Sequence, residues 1–159
     1  MSAQDEPSDA RPAPARSRSR RKTDTLERLR TDVDLWIASA SADGKAYLVP
    51  LSHYWDGSAL LVATPRVSPT ARNLIRAGWA RLALGPTRDV VIVEGPVEAL
   101  SIGADPEAED AHALAAGFDP RMLAEEYVYL RITPKEIQAW REANELEDRF
   151  VMRGGEWLE

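Results

Sequence analysis

Two Asp-Gly dipeptides, Asp43-Gly44 and Asp56-Gly57, punctuate three apolar runs in quick succession. The runs are VDLWIASA at 33–40, KAYLVPLSHYW at 45–55 and SALLVAT at 58–64. Asp-Gly between β-type runs favours a tight turn, because glycine reaches positive φ without a steric clash. Spacing this short leaves no room for the crossover that a parallel pair needs. The segment therefore predicts an antiparallel three-strand meander. Further strand-like runs follow at 79–85 (WARLALG), 89–100 (DVVIVEGPVEAL) and 127–132 (YVYLRI), and 137–140 (IQAW) is one more candidate. The last ten residues, 150–159, stay unassigned. The pattern is that of a mainly β chain, a small antiparallel barrel with short helices at its rim.

Proline and glycine inside these runs carry meaning. Pro50 offers no ladder donor, so its strand is an edge, is bulged, or is open to a ligand there. Gly95-Pro96 suggests a bend or bulge that turns a barrel corner. Helix signals stand between the strands. Asp24-Thr25-Leu26-Glu27 reads as a capping box. Asp105-Pro106 opens a helix that Gly117 ends, and Asp119-Pro120 opens a shorter one through about residue 126.

Residues 1–22 hold six basic and three acidic side chains and no large apolar one after Met1. Such a segment buries too little surface to offset its ordering entropy, and it is expected to be a disordered basic tail before a domain at 23–159. The whole chain has a net charge of −6, so the domain carries −9, which disfavours nucleic acid as a partner. There is no cysteine and only two histidines, His53 and His112, which argues against a metal centre and removes any cysteine nucleophile. No apolar run reaches the length of a membrane span and no signal peptide is evident, so a soluble cytoplasmic protein is expected.

The segment TPRVSPTARNLIRAG, residues 64–78, is the richest in chemistry. Ser68 suits an N-cap and Pro69 the first helical position, with Ala71, Leu74, Ile75 and Gly78 on the barrel side. The helix start offers free N–H groups and a positive dipole end. Around it stand the hydroxyls of Thr64, Ser68 and Thr70 and the guanidiniums of Arg66 and Arg72, a donor set suited to a phosphate monoester. The other reading is an ordinary capped helix with two solvated arginines. Arg88, in the turn 87–89, reaches an anionic ligand or pairs with Asp89. Trp79 and Trp140 stack on a ligand or belong to core or interface. His53 lines the site or is structural, and His112 is a packing or surface residue.

The order of YLVPLSHYWDGSALLVAT, the helix SPTARNL and the strand WARLALG resembles the pyridoxamine 5'-phosphate oxidase-like split barrels, which include flavin and deazaflavin oxidoreductases. The resemblance spans about residues 25–157, including ITPKEIQAWRE and RFVMRGGEW. Its best motif is Ser-x-x-x-Arg-Asn-Leu at Ser68, Arg72, Asn73 and Leu74. The resemblance implies a homodimeric split β-barrel that binds FMN or the deazaflavin F420 at the subunit interface. The cofactor phosphate would lie near the helix after the third strand. The ring would lie along the second strand at Val49, Pro50, Leu51 and Ser52. The chemistry implied is hydride transfer between cofactor and a small organic substrate, with no protein nucleophile; the alternative is a non-catalytic storage or sensing module. This chain departs from many relatives by Thr70, which stands where they have lysine, leaving Arg72 with Arg66 to supply the charge. The longer acidic tail of F420 would call on extra basic surface, with Arg66, Arg72, Arg76 and Arg88 as candidates.

Overall fold

The computed structural model describes residues 11–159. Nine strands form one sheet: β1 (Asp34–Ala40), β2 (Ala46–Trp55), β3 (Leu60–Pro65), β4 (Trp79–Leu84), β5 (Val90–Leu100), β6 (Tyr127–Ile132), β7 (Glu136–Trp140), β8 (Phe150–Arg153) and β9 (Glu156–Trp157). Their order is β4-β1-β2-β3-β6-β5-β7-β8-β9, and β4 also pairs with β5. That extra pairing closes six antiparallel strands into a barrel, while β7, β8 and β9 extend from its wall. Three α-helices accompany them: α1 (Arg18–Thr31), α2 (Pro69–Ala77) and α3 (Pro106–Ala116).

The meander forms where the Asp-Gly signals stand. Gly44 takes φ 83° in the β1–β2 turn. At the β2–β3 turn the Asp56 carboxylate accepts from the backbone of Ser58 at 2.8 Å and Ala59 at 2.7 Å. The unassigned C-terminal residues make the hairpin β8–β9. After Asp119 the chain makes only a short 3-10 turn, Pro120–Met122, in place of the expected helix to residue 126.

The core follows period-two alternation. Leu35 and Ile37 of β1, Leu82 and Leu84 of β4, and Val91 and Val93 of β5 all point inward and are buried. Each fully buried aliphatic side chain contributes roughly 1.5–3 kcal/mol. Helix α2 packs against β1 through β5 and drives Ala71 and Leu74 into this core. Ile75, expected on the same face, is instead 45% exposed. Helix α3 lies outside the barrel against β2 and β3, over a second cluster of Leu61, Ala63 and Tyr129.

Opposite β4, strand β5 serves two neighbours along one edge by turning at Gly95-Pro96. Residues 90–94 pair with β7, and residues 97–100 pair with β6. A Cβ on Gly95 would stand 1.9 Å from the Thr133 carbonyl oxygen, so only glycine fits the crossing of β5 by the β6–β7 corner.

The expected tail boundary is displaced. Residues 1–10 of that tail lie outside the described residues. From residue 11 on the chain is placed, and α1 begins at Arg18, with the Ser17 hydroxyl accepting from Arg20 N–H at 3.1 Å. The Asp24 box lies within the helix. Arg21, assigned to the tail, is 1% exposed; it donates to the Ala139 carbonyl at 3.2 Å and the Asp148 carboxylate at 2.8 Å. Arg16 grips Glu145. The segment is held by acids near the C-terminus, and its helix is anchored further along by Leu29 in the core.

Candidate functional site

Strand β2 has two different edges. It pairs with β1 along residues 46–52, yet with β3 only through His53, Tyr54 and Trp55. Beyond Val62, β3 parts from β2 while keeping the pairing with β6 that runs along its whole length, and residues 46–52 are left without a second neighbour among the described residues. His53 N–H donates to the Val33 carbonyl at 2.9 Å, toward β1. By alternation Leu51 and Val49 also face β1, while Ser52, Pro50 and Leu48 turn their backbone groups to the open edge. Proline therefore sits where its missing N–H costs the ladder nothing.

A cleft of about 310 Å3 lies in this split. Pro50, Leu51 and Ser52 form one wall, Ala63 and Pro65 of β3 another, and Phe118 and Tyr127 meet edge-to-face at 6.4 Å. The Ser52 hydroxyl donates to Asp34 at 2.7 Å, which also lines the cleft. Phe118, Tyr127 and Asp34 gave no local signal in the sequence, since an apolar ring after a helix says nothing of which strand it meets.

A second cleft, about 450 Å3, lies between the β1–β2 hairpin and α2. Lys45 and Tyr47 come from the hairpin side, Pro69, Arg72, Asn73 and Arg76 from the helix. Ser68 caps α2 as expected, accepting from Ala71 N–H at 3.1 Å. Its hydroxyl also meets that of Thr64 at 3.1 Å. Thr64 and Thr70 are buried, at 4% and 2% exposure, so the expected ring of free hydroxyls is turned inward. The Asn73 amide donates to the Ser39 hydroxyl at 3.1 Å and thereby fixes α2 to β1.

The two other expected cations are placed elsewhere. Arg66 pairs with Glu126 at 3.0 Å and lines neither cleft. Arg88 stands in the β4–β5 turn, at the end of β4 away from α2, and pairs with Glu142 at 2.7 Å. Each guanidinium is drawn to a carboxylate distant in sequence, which local spacing does not reveal. Trp79 is 46% exposed and lines a separate cleft with Ser39, Asn73 and Arg81.

Both histidines are structural. His53 is 1% exposed and its Nε2 lies 3.0 Å from the Leu29 carbonyl. Burial pushes its pKa below the ordinary histidine value, with the Leu29 contact opposing. His112, on the inner face of α3, is fully buried and edge-on to Tyr129 at 5.6 Å. Burial lowers its pKa too, against a smaller opposing pull from the Ser52 backbone.

A closed antiparallel barrel split along β2 defines the structural class. A sequence model described as pyridoxamine 5'-phosphate oxidase matches residues 25–141, and the chain belongs to this family. No curated protein matches it in sequence. Solved structures share the fold at low identity. A pyridoxamine 5'-phosphate oxidase-related, FMN binding protein of Nostoc punctiforme is 16% identical, with a TM-score of 0.53 over 74% of this chain and 80% of that one. An F420 reductase is also 16% identical, with a TM-score of 0.56 over 70% and 93% of the two chains. A heme binding protein from Mycobacterium smegmatis is 14% identical, with a TM-score of 0.67 over 88% of this chain and 59% of that longer one. No helix among the described residues is long and apolar enough to cross a membrane.

Proposed function

We propose that the chain binds FMN or F420 along the open edge of β2 and serves as an oxidoreductase for a small organic substrate. The observation that carries this is the open second edge of β2 at residues 46–52, beside a largely apolar cleft that Asp34 and Ser52 also line. A flat ring seated against Pro50 and Leu51 meets backbone groups of Leu48 and Ser52 that the sheet leaves free. When bound, such a cofactor supplies hydride transfer. The chain's own part is to bind, orient and exclude water: Phe118 and Tyr127 shield the cleft, and Asp34 holds the Ser52 side chain. The cofactor's acidic arm extends toward α2, where Arg72 stands.

The outward face of β1, β2 and β4 supports a second copy as partner. Trp36, Leu48 and Trp79 are 50%, 60% and 46% exposed there, more large apolar surface than water favours. A homodimer built on this face covers it and closes the β2 cleft from outside. Haem is a poorer fit, because both histidines are buried and offer no ring nitrogen to an iron at the surface.

The test is fluorescence titration of the purified full chain with FMN and with F420, alongside its mass in solution. Saturable binding of one of them by a dimer is expected. Binding of neither overturns the proposal, and binding without turnover of any acceptor favours the storage or sensing alternative.

A further inference from the structure

We infer that the cleft between the β1–β2 hairpin and α2 is a site for an extended polyanion, in which Lys45 and Arg76 join Arg72, so that the chain prefers F420 with its long acidic tail to FMN. This rests on the cofactor reading above.

The charge distribution favours this cleft. In an acidic protein, most arginines of the described chain are neutralised in place: Arg66 by Glu126, Arg81 by Glu94, Arg88 by Glu142, Arg131 by Asp105. Lys45, Arg72 and Arg76 form no such pair among the described residues, and no carboxylate lines their cleft. Arg76 spends one N–H on the Ala40 carbonyl, which holds its guanidinium by the hairpin. Asp43, at the hairpin tip, is engaged by the Ser41 hydroxyl, which holds its carboxyl below the usual range with a smaller contribution from Arg76.

The spacing matters as much as the sign. Arg72 and Arg76 are one turn apart on a single flank of α2, where like charges repel unless an anion lies between them. Lys45 faces them from the other wall. Three cations along a helical turn and across a cleft suit several negative groups in a row better than one compact phosphate. Lys45 thus supplies, from the hairpin, a third cation to this cleft. Arg66, tied to Glu126, does not.

The test measures binding, not turnover. F420 and FMN are titrated by fluorescence against the wild-type full chain and against Lys45→Met, Arg76→Met, Lys45→Arg and Arg66→Met, at two salt concentrations. All three positions are partly or fully exposed, and melting curves confirm folding. Wild type should bind F420 more tightly than FMN and lose that preference at high salt. Lys45→Met and Arg76→Met should each weaken F420 by about tenfold and FMN less, while Lys45→Arg and Arg66→Met stay near wild type. Unchanged F420 affinity in both methionine variants overturns the inference and leaves the cofactor reading intact. So does an equal or tighter hold on FMN by wild type, or an Arg66→Met loss as large as that of Lys45→Met. A wild-type chain that binds neither ligand overturns both readings.

Discussion

Arg16 and Glu145 meet across 129 positions of sequence, with Arg16 Nε 3.0 Å from one carboxylate oxygen and Nη2 2.8 Å from the other. The Arg16 backbone N–H adds a third bond at 2.8 Å. This fork joins the segment before α1 to the turn before β8. Glu145 is held at about 2, first by the Arg16 side-chain bond and against the opposing effect of burial.

A carboxylate whose folded pKa is depressed stabilises the protein above its unfolded pKa and loses that contribution as pH falls. For Glu145 the window runs from about 4.5 down to about 2. Glu145→Gln should lower stability at pH 7 by roughly 2–4 kcal/mol and flatten the loss across that window. Thermal melts of both proteins from pH 2 to 7 check this; parallel curves would refute it.

Arg21 should matter as much. Its guanidinium holds the Ala139 carbonyl and the Asp148 carboxylate from a buried position. Arg21→Met leaves that carbonyl without its bond and should cost about 2–4 kcal/mol, while Arg20→Met, on the exposed flank, should cost less than about 1. Urea denaturation of the two variants measures the contrast.

His112 gives the opposite kind of test. A buried ring kept neutral has a folded pKa below its unfolded value near 6.5, so stability falls as pH drops below that value. No ring nitrogen of His112 reaches hydrogen-bonding geometry with a described residue. His112→Leu should therefore match or exceed wild-type stability at pH 5 and show a smaller drop between pH 7 and 5. A steeper drop in the variant would contradict the assignment.

The split itself can be probed by proline. Leu51 pairs with Leu35 and turns its N–H toward β1, whereas Pro50 faces the open side. Leu51→Pro should cost about 3 kcal/mol or more, and Pro50→Val should shift stability by about 1 kcal/mol or less. Comparable losses in the two melting curves would place a neighbour on the open edge.

Gly95→Ala asks the β6–β7 corner to move away from a Cβ that would stand 1.9 Å from Thr133 O. The expected loss is about 2–4 kcal/mol, read by chemical denaturation. A neutral result would show that the corner yields freely.

Local chemistry was enough to read the strands of the meander, the Ser68 cap of α2, the α3 boundaries at Asp105 and Gly117 and the bend at Gly95-Pro96. Turn residues, caps and period-two alternation act over a few bonds, so the chain itself determines them. The unusual status of Pro50 was legible for the same reason. What remained open was which of its possible causes applied, and the parting of β3 from β2 beyond Val62 decided that.

Only the tertiary structure decided where the cations go. Arg66, Arg72, Arg76 and Arg88 are alike as a list of guanidiniums. Folding brings Glu126 to the first and Glu142 to the last, and leaves the middle pair facing Lys45 across a cleft. The same long-range pairing turned part of a supposed tail into a docked helix, because its partners Glu145 and Asp148 lie more than a hundred residues away. Electrostatic energy depends on distance in space, and distance along the chain carries almost no information about it.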